Sequence, residues 1–111
     1  MIFVESRAFS LQRAIHMDDI AFRELQRTLL ASPNSGSLIV GTGGLRKLRW
    51  GAGERGKRGG VRVIYFPLPR RSVILLLLLY PKNEQEDLTA AQRRVLRAVV
   101  AAEIRAHMEE R

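Results

Sequence analysis

LRKLRWGAGERGKRGGVRVIYF (Leu45–Phe66) sets two short apolar–cationic segments around a loop, and eight of the ten residues from Gly51 to Gly60 are Gly, Lys or Arg. Two readings compete for such a stretch. One is a glycine loop that cradles a nucleotide; the other is a cationic flap between two strands. Gly51, Gly53 and Gly56 satisfy G-x-G-x-x-G, and Gly51, Gly56 and Lys57 approach the P-loop pattern. A dinucleotide loop must open a helix, so that the helix's free amides meet the pyrophosphate. Here GGVRVIYF follows, which is strand-like, and Arg58 stands where a P-loop needs a hydroxyl for magnesium. The context rejects the nucleotide loop.

The flap reading fixes the middle of the fold. Leu45–Trp50 and Val61–Phe66 are predicted as strands of an antiparallel hairpin. Residues two apart on a strand share a face, so Lys47 and Arg49 project together. With Arg49 opposite Arg62, all three cations occupy one surface; a one-residue slip sends Arg62 to the other. Three unpaired cations at neighbouring positions repel one another, an arrangement that makes physical sense when a phosphate joins them.

Working outward, Pro67 and Pro69 are expected to end the second strand, and SVILLLLLY (Ser72–Tyr80) reads as a central strand covered on both faces. Upstream, IFVES begins as a strand and Ser6 caps a first helix carrying Phe9, Leu11 and Ile15. Asp18 caps a second helix, with Phe22, Leu25 and Leu29 facing the core and Pro33 stopping it. Downstream, Thr89 and Gln92 have capping-box spacing, and Leu96, Val100, Ile104 and Met108 form an apolar stripe widened by Val95 and Val99. The expected fold is α+β: a small twisted antiparallel sheet, two N-terminal helices and one C-terminal helix.

Composition narrows the function. A chain of 111 residues with 46% hydrophobic content predicts one domain over residues 1–111 with a core of its own. With no cysteine, disulfides, thiolate chemistry and cysteine-based zinc sites are excluded. His16 and His107 lie far apart without ligand-like neighbours, so no metal or other cofactor is expected. MIFVESRAF has no charged region followed by an apolar core, and the longest apolar run, Val73–Tyr80, is too short to span a bilayer. A soluble, cytoplasmic protein without membrane contact is expected. Formal net charge is +8, and Gly44–Arg71 carries nine basic residues against the single acid Glu54, while the rest of the chain balances. Charge gathered in one quarter of a sequence points to a polyanionic partner.

GTGGLRKLRW, GKRGGVRVIYF and YPKNEQEDLTAAQRRVL together resemble the HigB-type toxins of the RelE/ParE superfamily, over most of the chain after Gly36. The resemblance implies a ribosome-dependent mRNA endonuclease, neutralised by a cognate HigA-like antitoxin that binds DNA. Operator DNA would be contacted only through the toxin–antitoxin complex. It also implies that Lys47, Arg49 and Arg62 surround the scissile phosphate. Arg46, Arg55, Lys57, Arg58 and Lys82 are the candidates for RNA and ribosome backbone contacts. Asn83 and Thr89 stand near the places where the RelE branch has an arginine and a tyrosine, so no general base is assigned.

The chemistry suits cations. An RNA 2′-hydroxyl can attack its own neighbouring phosphate without a protein nucleophile or metal, and catalysis then needs orientation and charge stabilisation. Lys47 and Arg62 are placed for charge stabilisation and Arg49 for a two-pronged phosphate contact. Asn83 and Glu84 are candidates for fixing the turn before the last helix; Tyr65, Tyr80 and Trp50 are read as packing residues. Two other functions share this surface: a ParE-like toxin that poisons DNA gyrase, and a non-catalytic basic RNA-binding module.

Overall fold

The computed structural model describes residues 1–51 and 60–109, with backbone alone for 107–109. Its order is β1 (Ile2–Glu5), α1 (Arg7–His16), α2 (Asp19–Ala31), β2 (Ser37–Leu38), β3 (Arg46–Trp50), β4 (Val61–Leu68), β5 (Val73–Pro81) and α3 (Ala90–Glu109). The strands form one sheet in the order β1-β5-β4-β3-β2. Neighbours from β5 to β2 are antiparallel as expected, but β1 adds parallel to β5, so the sheet is mixed. This correction follows from a non-local edge pairing: Ile2 N–H donates to the Ser72 carbonyl and Ser6 N–H to the Leu76 carbonyl, contacts that no local pattern encodes.

The helices start where their caps dictate. Ser6 Oγ accepts from Phe9 N–H at 3.0 Å and Asp18 Oδ1 from Ala21 N–H at 2.7 Å. Thr89 and Gln92 close their capping box, Gln92 N–H to Thr89 Oγ1 at 3.1 Å and Thr89 N–H to Gln92 Oε1 at 3.0 Å. Helices α1 and α2 seal one face of the sheet with Phe9, Leu25 and Leu29 over Val61, Val63, Tyr65, Ile74 and Leu76. On the other face, Leu96 and Val100 of α3 pack with Ile64, Phe66, Leu75 and Tyr80. The predicted stripes are wider than the faces that close. Leu11 and Ile15 stay 55% and 61% exposed because, two and six residues after the buried Phe9, they point away from the sheet at 3.6 residues per turn, and Val95 stays 63% exposed.

Two irregularities set where β4 and β5 end. The ladder jumps from Ile64↔Leu78 to Tyr65↔Leu76, which leaves Leu77 as an extra residue on β5. The run of leucines therefore alternates between faces up to Leu77 and then restarts, with Leu77 and Leu78 on the same side. In addition, β4 does not stop before Pro67: it continues to Leu68, with Pro67 opposite Ile74. Pairing with β3 ends at Tyr65, so the strand has an open edge beyond it that tolerates a residue lacking an amide N–H. Pro69 instead starts a short 3-10 turn to Arg71.

Candidate functional site

The hairpin register puts Arg49 directly opposite Arg62, Lys47 opposite Ile64, and Arg62 opposite Tyr80 on β5. Ile64 and Tyr80 belong to the α3-side core, so the three cations share that face. Together with Lys82 they line a cavity of about 500 Å³. Ser35 and Ser37 supply one wall from the α2–β2 segment, and Glu86 and Asp87 another from the β5–α3 connector. Among the described lining residues, none comes from α3 itself.

The cations differ in setting. Arg49 is exposed, whereas Arg62 retains 7% exposure and its Nη1 lies 3.5 Å from its neighbour's Val61 carbonyl. A common face was expected; the depth of Arg62 was not, and it arises because β4 is flanked by strands on both sides. Arginine cannot shed its charge to relieve burial. Like charges opposite each other in a ladder also repel. Lys47 is not the unpaired cation that its spacing suggested: Nζ donates to Asp87 Oδ1 at 2.5 Å. That hydrogen bond, then the Lys47 charge, with Arg93 and Arg62 adding to it, holds the Asp87 carboxyl below its ordinary value. Burial pushes the Tyr80 phenol above its ordinary value, with the Asp87 charge adding to the effect and Arg62 opposing it, so Tyr80 stays neutral beside the site.

Arg46 goes the other way. One position from Lys47, it pairs with Tyr65 and turns to the opposite face, where Nη1 donates to the Gly36 carbonyl at 2.6 Å and the Asn34 carbonyl at 3.3 Å. Tyr65 grips the same segment: its hydroxyl accepts from Gly36 N–H and donates to the Pro33 carbonyl, both at 2.8 Å. Gly36 admits no side chain, because a Cβ would stand 2.9 Å from both the Tyr65 ring and the Lys47 carbonyl. This lock fixes the wall that carries Ser35 and Ser37. Arg55, Lys57 and Arg58 lie outside the described residues.

The connector is equally constrained. Lys82 N–H donates to the Gly60 carbonyl at 3.3 Å, tying it to the start of β4. Gly60 has φ +67°, and a Cβ there would lie 2.3 Å from the Trp50 carbonyl. Gln85, rather than the exposed Asn83 and Glu84, braces the turn through its side chain: Nε2 donates to the Asp87 carbonyl and to Gln92 Oε1, each at 2.9 Å. Leu88 buries itself in the α3-side core. Asp87 and Glu86 escaped sequence reasoning. The signal was the adjacency of EQEDLT to the end of β5, since β5 ends beside Arg62.

Four cations against two carboxylates leave the cavity net positive, with hydroxyls at its rim. Chemically it suits a phosphate-sized oxyanion accompanied by hydrogen-bond donors. The architecture as a whole matches that of a mutant of the E. coli toxin RelE in the free state, with a TM-score of 0.55 and 12% sequence identity, covering 77% of this chain and 86% of that one. The chain therefore has a RelE-like α+β fold. No family model matches the sequence.

Proposed function

We propose that this chain is the toxin of a toxin–antitoxin pair, of the HigB type, and that it cleaves mRNA on the ribosome. The observation that carries the reading is the convergence of Lys47, Arg49, Arg62 and Lys82 on one cavity of a fold resembling that of a known toxin. In the reaction, the mRNA 2′-oxygen attacks the adjacent phosphorus and the bond to the 5′-oxygen breaks. The products are a cyclic phosphate and a free 5′-hydroxyl. Negative charge builds on the phosphorane-like oxygens, where Arg62 is held before substrate arrives. A buried, fixed cation reorganises little during the reaction and is worth more than a solvated one. Arg49, exposed and directly across the ladder, supplies the planar fork that orients the phosphate. Lys47, with three donors on its ammonium, meets the phosphate while keeping its hydrogen bond to Asp87.

The partners this activity requires are a cognate antitoxin of the HigA-like, DNA-binding kind, with operator DNA reached through it, and the ribosome with its mRNA. Cleavage of mRNA in a translating extract, lost when Arg62 is replaced by Ala, is the expected result. Supercoiling inhibition without mRNA cleavage would instead assign the cavity to a gyrase poison. Salt-sensitive RNA binding with neither activity would leave a binding module.

A further inference from the structure

A cavity that only grips phosphate has no use for a carboxylate in its wall. Phosphate oxygens and an ionised carboxyl are both acceptors, both negative, and neither donates. Yet Asp87 is placed there by a braced connector: Gln85 holds its carbonyl, Leu88 anchors the next position in the core, and the Thr89–Gln92 box fixes the helix start. Its side chain is 67% exposed toward solvent and touches Lys47. A ligand group beside Lys47 that Asp87 welcomes must be a hydrogen-bond donor.

We propose that Asp87 reads the sugar, accepting a hydrogen bond from the ribose 2′-hydroxyl next to the phosphate held by Lys47, Arg49 and Arg62, so that the cavity selects ribonucleotide over deoxyribonucleotide strands. The inference rests on the phosphate-binding reading of the cavity and adds its second contact. In a ribonucleotide the 2′-hydroxyl sits on the carbon beside the 3′-oxygen that bears the phosphate. An ammonium and a carboxylate in contact therefore match a phosphate and a hydroxyl that are neighbours on the substrate. A carboxylate has about four acceptor positions, and Lys47 occupies one of them through Oδ1. Asp87 is an ionised acceptor at neutral pH, and the Lys47 hydrogen bond, then the Lys47 charge, with Arg93 and Arg62 adding to it, lower its carboxyl further below the ordinary value. The 2′-hydroxyl is also the group by which a protein tells RNA from DNA.

The test uses the intact chain and short single strands of one sequence in three sugars: ribose, 2′-deoxyribose and 2′-fluororibose. The fluoro sugar keeps the ribose pucker but donates no hydrogen bond. Fluorescence anisotropy should show the wild type binding the ribose strand roughly tenfold more tightly than the other two, the scale of one hydrogen bond to a charged group. Asp87→Ala, an exposed change that circular dichroism should show to be folded, should bring the three affinities together. Arg49→Ala should weaken all three in parallel. Equal wild-type affinities, or an Asp87→Ala variant that tightens all strands alike, would overturn the proposal and leave Asp87 a mere competitor for Lys47. Failure of the wild type to bind any strand would bring down the phosphate reading itself, and this inference with it.

Discussion

The two faces of the sheet divide the labour of one short strand. On the α1–α2 face, β3 contributes Leu48 and Trp50 to the core, Trp50 anchoring its indole N–H on the Ala21 carbonyl at 2.9 Å. Arg46 serves the same face by stapling the α2–β2 segment. On the α3 face, the intervening Lys47 and Arg49 meet Arg62 in an open cavity. Residues one position apart thus have opposite tasks. Their separation comes only from the pleat of the strand, which makes a cation's parity more telling than its charge.

Four measurements test this contrast. The largest effect belongs to the sealed face. Leu25, fully buried beneath the sheet, should cost roughly 2–5 kcal/mol of unfolding free energy when replaced by Ala. Denaturant melts measure this, and the folded fraction should retain its RNA affinity. A loss of affinity in that fraction would show that the two faces are not separable.

On the open face the balance should reverse. Arg62→Ala should reduce single-turnover cleavage of ribosome-bound mRNA by roughly 10²–10³, the usual consequence of losing one preorganised electrostatic donor. Ribosome affinity should fall much less, because other phosphate contacts remain. The melting temperature should hold or rise, since the change removes a buried cation that faces Arg49. Equal losses of binding and cleavage would take Arg62 out of the chemistry.

Tyr65→Phe tests the lock between the faces. It strands the Gly36 N–H and the Pro33 carbonyl, which should lower stability by roughly 1–3 kcal/mol. Amide exchange should quicken at Gly36 while the protection of β5 falls only with global stability. Uniform loss of protection would mean that the segment is not held locally.

The smallest effect is electrostatic. Lys47→Ala should raise the Asp87 titration midpoint back toward 3.8, read by carboxyl carbon shifts. The sign follows from the depressed folded value. The pair's contribution is present above the ordinary carboxylate range and fades as pH falls through the lowered midpoint. Both groups are exposed enough for salt to screen it. An unmoved midpoint would show that Arg93 and Arg62, not Lys47, hold the charge.

What the chain reveals in advance is whatever has a local cause. The caps at Ser6, Asp18 and Thr89 could be read because each depends on a handful of neighbouring residues, whereas the Arg49–Arg62 register was a condition on the hairpin that only the observed pairing supplies. The parallel pairing of β1 could not, since its partner lies some seventy residues away and an edge strand leaves no pattern of its own. Leu11 and Ile15 misled because they share a face four residues apart, yet that face lies across the helix from the buried Phe9. Asp87 was hidden for another reason. An exposed acid before a helix looks like any solvated residue until the connector's path brings it to Lys47.

The extra residue at Leu77 turns the run Leu75–Leu79 into a measure of length rather than of composition. Removing any one of those five leucines yields the same shortened sequence, with hydrophobicity barely changed. The strand would nonetheless have to choose between a straight ladder and its present endpoint. If it straightened, Tyr80 and Pro81 would no longer finish beside Arg62 and Val61, and the segment bearing Lys82 and Asp87 would set out from a different place. In so uniform a stretch, counting decides where the cavity closes, and a copying slip of one codon would strike the site without altering a single residue that lines it.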